Sequence, residues 1–205
     1  KKSITPDSPG RSIALTVNHC TISGNNANNG NGGGVYFDPY GSNESRLTLI
    51  ANTVTDNHAS MRGGGISLRS VPALVRVNNN LVAGNTDKET FAPDLSGSVT
   101  SEGYNLVGMA DGSDGWVDTD QTGTIDNPLV PIIGLLANNG GPTKTHALLK
   151  GSPAIDTGNP TLAGTRDQRG VIRDKLPDIG SYERGAGFCG SGISKLFGRV
   201  EQRAK

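Results

Sequence analysis

Three observations in the sequence predict an all-β fold, a right-handed parallel β-helix of about 30 residues and three short strands per turn. The first is a pair of glycine runs, GGGVYF at 32–37 and GGGISL at 63–68, set 31 residues apart with the same apolar-x-apolar ending. The second is a longer repeat: LTVNHCTISGN (15–25), LTLIANTVTDN (47–57) and VRVNNNLVAGN (75–85) align at offsets of 32 and 28 residues. A fainter copy places Asn105-Leu106-Val107 on Asn80-Leu81-Val82. The third is the period. Apolar residues alternate at Leu15/Val17, Leu47/Leu49 and Val75/Val77, and again at Val35/Phe37 and Ile66/Leu68. Strand side chains alternate between faces, so this pattern belongs to strands and not to helices.

The elements follow in order. Residues 1–12 read as a polar leader, 13–110 as the turns of the coil, 111–184 as an irregular closing region and 185–205 as a tail. The glycine runs are expected at corners, where the chain needs positive φ or close approach to the next turn. Asn52, Asn80 and Asn105 share a column with Cys20. Inward Asn side chains stacked turn on turn can bond one another and the buried turn backbone, so this column is expected to be a structural ladder. Cys20 then reads as a small buried thiol.

Composition narrows the function. Net charge is zero, so no basic field draws nucleic acid or an anionic membrane. No apolar run reaches the roughly 18–20 residues that span a bilayer. Lys1-Lys2 is followed by polar sequence, so no signal peptide is read and the chain is expected to be a mature form or a fragment. Two cysteines, Cys20 and Cys189, make neither a disulfide framework nor a zinc pattern.

The second half has a different texture. It contains Asn139-Gly140-Gly141-Pro142-Thr143, Thr145-His146-Ala147-Leu148, Gly151-Ser152-Pro153-Ala154-Ile155-Asp156, Asp167-Gln168-Arg169-Gly170 and Asp178-Ile179-Gly180. These phrases, over roughly 105–183, resemble the C-terminal portion of choice-of-anchor Q domain proteins, parallel β-helix repeat proteins of bacterial surfaces near the polymorphic outer-membrane group. The resemblance implies an exported β-helix with a closing segment and a variable tail, and implies little about activity. In the tail, Ile193, Leu196, Phe197 and Val200 fall on one face of a short helix. That helix is expected to cover an end of the coil, with membrane-surface or partner docking as the alternatives.

Four features bear on chemistry. Polysaccharide lyases and hydrolases need carboxylates on outward strand positions, and the outward positions expected here, such as Thr16, Thr21, Tyr36, Thr48, Thr53, Ser67, Arg76 and Leu81, are not acidic. Asp111, Asp114, Asp118 and Asp120 lie in a glycine-bearing stretch that offers Ca²⁺ oxygen ligands, although the spacing matches no standard calcium loop. Ser152, His146 and Asp156 are the residue types of a hydrolytic triad without the nucleophile-elbow context. Arg166, Asp167, Arg169, Arg173 and Asp178 are expected to form ion pairs that pin loops, with an acidic glycan contact as the alternative.

The reading that best fits is a non-catalytic structural or adhesive module, extracellular and on a bacterial cell surface, without a required cofactor. An uncapped first turn exposes strand edges. Subunits are therefore expected to stack end to end into a fibre, with the tail helix or the leader bridging the joint. The alternatives are a carbohydrate-active enzyme and a glycan- or ice-binding module. A hydroxyl array at Thr21/Ser23 and Thr53/Thr55 breaks at Leu81/Ala83, which argues against a flat ice-binding face.

Overall fold

The computed structural model describes residues 12–39, 45–69, 74–88 and 90–185. The first turn carries β1 (Ala14–Asn18), β2 (Thr21–Ser23), β3 (Asn26–Ala27) and β4 (Val35–Phe37). The second carries β5 (Arg46–Ile50), β6 (Thr53–Thr55), β7 (His58–Ala59) and β8 (Ile66–Leu68). The third carries β9 (Leu74–Asn78), β10 (Leu81–Val82), β11 (Thr86–Asp87) and β12 (Leu95–Ser98). Beyond it lie β13 (Thr100–Ser101), β14 (Leu106–Val107), β15 (Ser113–Asp114) and β16 (Gln121–Thr122).

Every strand pairs in parallel with its counterpart one turn away, giving four sheets: β1-β5-β9-β13, β2-β6-β10-β14-β16, β3-β7-β11 and β4-β8-β12-β15. The architecture is consistent with a β-solenoid. Its register is that of the aligned repeats: Leu15↔Leu47↔Val75, and Thr21↔Thr53↔Leu81↔Leu106. Each full turn has four strands where three were expected. The extra one is two residues long, too short to show a period, and starts just after Asn25, Asn57 and Asn85. The expected tail helix (Ile193, Leu196, Phe197, Val200) lies outside the described residues. Among those described, the helical element is a single 3-10 turn, Pro160–Leu162, capped by Asn159.

The glycine triplets do what the corner needs. Gly32 and Gly63 hold φ of 67° and 66°. A Cβ on Gly33 would stand 2.3 Å from the Gly64 carbonyl oxygen, and one on Gly64 would stand 2.1 Å from that of Thr86. The first glycine thus supplies a left-handed conformation, and the second has no room for a side chain.

Two cores result. The inner one is enclosed by the sheets and contains Leu47, Leu49, Val54, Ile66, Val75, Val77 and Leu95. A second lies on the outer side of the second sheet, where Leu81, Ala83 and Leu106 pack against Leu148, Ala154 and Ile179. The chain after β16 therefore folds back along that sheet as a strap, with isolated antiparallel bridges Ile133↔Leu148, Ala137↔Thr145 and Arg166↔Ile172. Leu81 and Ala83 break the hydroxyl array because they are the contact points for this strap.

Candidate functional site

The Asn column is a hydrogen-bonded ladder with a direction. Asn52 Nδ2 donates to Asn80 Oδ1 (3.0 Å), and Asn80 Nδ2 to Asn105 Oδ1 (3.1 Å). Asn105 Nδ2 then donates to Asp120 Oδ1 (2.9 Å). The Cys20 backbone N–H feeds Asn52 Oδ1 (3.0 Å) at the other end. Cys20 itself is half-buried, not interior as expected, and its thiol donates to the Asn18 carbonyl.

A second ladder runs beside it: Asn25 to Asn57 (2.9 Å), Asn57 to Asn85 (2.9 Å) and Asn85 to Asp94 (2.9 Å). The repeat ends in Asn at each of these positions, and that was the signal available in the sequence. Each chain of donors runs one way and ends on a residue whose first oxygen takes the ladder and whose second takes other donors. An ionised carboxylate accepts on both oxygens and an amide does not. Asp94 Oδ2 takes the Met109 N–H (2.8 Å), and Asp120 Oδ2 takes the Val117 N–H (2.8 Å) and the Ser101 hydroxyl (2.6 Å). Burial nonetheless pushes Asp94 up to about 6.

This places the expected calcium ligands. Asp120 ends a ladder, Asp111 Oδ2 accepts the Ile125 N–H (2.7 Å), and Asp114 and Asp118 are exposed. Among the described residues no three of His, Cys, Asp or Glu gather as a metal set. Nor do two carboxylates face each other at any paired strand position; Asp87 lies beside Ala59 and Asp114 beside Ser98.

The strap is held by polar ties. Thr21 bonds Gln168 (2.6 Å) and Ser181 (2.9 Å), and Ser181 bonds Thr53 (3.0 Å). The expected charge cluster is present, with one partner the sequence reading missed, Glu183. Arg169 pairs with Asp167 (2.7 Å) and stacks on Tyr182 (3.6 Å), while fully buried Arg173 pairs with Glu183 (3.1 Å). Arg166 is exposed and donates to the Gly170 carbonyl. Asp178 accepts backbone N–H groups from Asp156 and Arg184, and burial pushes it up to about 7. Burial, followed by the Arg173 guanidinium, pushes His19 down.

Ser152, His146 and Asp156 are not brought together. Ser152 Oγ donates to the Pro131 carbonyl, and Asp156 is exposed. His146 instead meets Ser23, with Nε2 2.8 Å from Oγ, while Nδ1 sits 2.8 Å from the Gly134 carbonyl. That carbonyl fixes the proton on Nδ1 and leaves Nε2 to accept from Ser23. The pair has hydrolytic geometry, but His146 is buried and Ser23 does not line the adjoining 250 Å³ cavity. It ties the strap to β2.

The open concavity of interest lies on the outer face of the fourth sheet. A groove of about 420 Å³ runs over Tyr36, Ser67 and Ser96, which are neighbours in register, with Arg62 and Arg69 among its walls. Arg62 stacks 4.3 Å over the Phe91 ring. Buried Asp87 braces that ring's loop by accepting the Phe91 and Ala92 N–H groups (3.0 and 2.9 Å). Arg69 pairs with Asp38 (3.0 Å).

The two outermost described parts of the coil differ. Leu15 is 45% exposed, whereas its counterparts Leu47 and Val75 are 0% and 3% exposed. At the other end Trp116 packs against the inner core and donates from Nε1 to Ser113 (3.1 Å).

No family model, curated protein or solved structure matches the chain. The likeness of 105–183 to choice-of-anchor Q proteins therefore rests on the quoted phrases alone. No described helix is long and apolar enough to cross a membrane.

Proposed function

We propose that this chain is a non-catalytic structural or adhesive module of an extracellular bacterial surface protein. It is built as a right-handed parallel β-helix that associates with another solenoid unit through its first turn. The observation that carries the reading is the open core at that turn. Leu15 is 45% exposed, and β1 to β4 each lie at the edge of their sheet among the described residues. Unpaired strand edges beside exposed apolar side chains take up further strands. The surface setting is supported by the sequence phrases, and the non-catalytic reading by Asp94, Asp120, Asp167 and Glu183, which serve ladders and ties.

The packing of Trp116 on the inner core and the acceptors Asp94 and Asp120 on the ladders support a closed pair in place of the fibre read from the sequence. A fibre needs two complementary open ends, whereas one open end gives a closed pair. Analytical ultracentrifugation over a concentration series tests this. Reversible association that stops at a dimer, and is abolished in Leu15→Asp, is expected. A monomer at all concentrations contradicts it.

A further inference from the structure

The groove on the fourth sheet contains no strap residue and shares only Asn31 and Tyr36 with the first turn, and its chemistry is specific. Its floor is a row on successive strands, the exposed ring of Tyr36, the hydroxyl of Ser67, which is 5% exposed, and that of half-buried Ser96. Adjacent strands lie about 4.8 Å apart, comparable with the advance of one sugar unit along an extended saccharide chain. Aromatic faces take the apolar faces of sugars, and hydroxyls take their edges. The row runs across the face of the sheet, so a ligand seated on it meets side chains and not the backbone edge of β4.

The arginines set the charge. Arg69 is matched by Asp38 at 3.0 Å, and the Tyr36 hydroxyl reaches the same carboxylate at 3.3 Å. Arg62 is stacked on Phe91 and makes no ion pair among the described residues. Stacking fixes the guanidinium plane and leaves its N–H fork available to a carboxylate. The groove therefore carries one unmatched positive charge beside a sugar-compatible floor.

We propose that this groove binds a carboxylated saccharide chain, with Arg62 holding a carboxylate, Tyr36 stacking on a ring and Ser67 and Ser96 bonding hydroxyls. The inference goes beyond the proposed association and uses the outer face of the fourth sheet, not its strand edge. Calorimetric titration with hexagalacturonate, and with its fully methyl-esterified form, tests it on the full chain. Binding of the acid form, weakened by added salt, is expected. Arg62→Ala and Tyr36→Ala should each lower the affinity about tenfold or more, as for loss of a charge-assisted bond or of ring stacking. Arg76→Ala, on another sheet, should not. Circular dichroism checks that the variants keep the fold, and amide shift changes confined to the fourth sheet provide a second readout. No binding at millimolar concentration, equal binding of the ester, or unchanged affinity in a folded Arg62→Ala protein overturns the proposal.

Discussion

The inner core ends on Trp116, and the two Asn ladders end on carboxylates, Asp94 in the third turn and Asp120 beyond it, that accept on both oxygens. At the first turn the same columns end on Leu15, 45% exposed, and on Asn25, also exposed. The difference shows that a repeat specifies the interior of a coil and leaves its ends to residues outside the repeat. Among the described residues the outermost strands on both sides lie at sheet edges, and what sets the first turn apart is its exposed apolar side chain.

The comparison can be broken most sharply in the apolar column. Leu47→Ala should destabilise the fold by about 3 kcal/mol, the middle of the range for a fully buried leucine. Leu15→Ala, one turn away in register, should change it by less than about 1 kcal/mol in dilute protein. Denaturant titration reads both, and equal losses would show that the first turn is as closed as the second.

The ladder gives the next contrast. Asn57 donates to the Ile22 carbonyl and to Asn85, and accepts from Asn25, all within bonding distance. Its replacement by Ala leaves buried groups unpaired, so a loss of about 2–3 kcal/mol is expected, against less than about 1 kcal/mol for Asn25→Ala. Asp120→Asn probes the closed end. The amide would point N–H groups at donors that Asp120 now accepts, and a loss of about 1–2 kcal/mol in unfolding free energy is expected.

The smallest effect is a pH slope. Asp94 and Asp178 have folded values raised to about 6 and about 7, against about 4 in an unfolded chain. The folded state then binds more protons than the unfolded state between those values. Their contribution is therefore full below about pH 4 and is lost as pH rises to about 7. His19, lowered by burial, works in the opposite sense: its contribution is present above its unfolded value and falls away as pH drops. Melting temperature should therefore decline gently from pH 4 to 7, and Asp94→Asn should flatten the lower half of that decline.

The sequence made the coil legible because its signals are local and periodic. Leu47/Leu49 and Val75/Val77 show the strands, the glycine triplets show the corners, and Asn52, Asn80 and Asn105 show one ladder. The strap was not legible. Its contacts join residues as far apart as Thr21 and Ser181, and no period announces a segment that lies across a sheet. Leu81 and Ala83 did carry the signal, since apolar residues at outward positions mark a covered face. Asp120 looked like a calcium ligand because a ladder's last acceptor and a metal's ligand are the same residue type. Glu183 and the Ser23–His146 tie depend wholly on how the strap lies.

The most direct test of the open first turn is hydrogen exchange measured over a protein concentration series. Amides of Ala14–Asn18 should gain protection as concentration rises, while those of Ser113–Asp114 and Gln121–Thr122 stay unchanged. Protection of β1 that is independent of concentration, or that rises equally at both ends, would contradict the account.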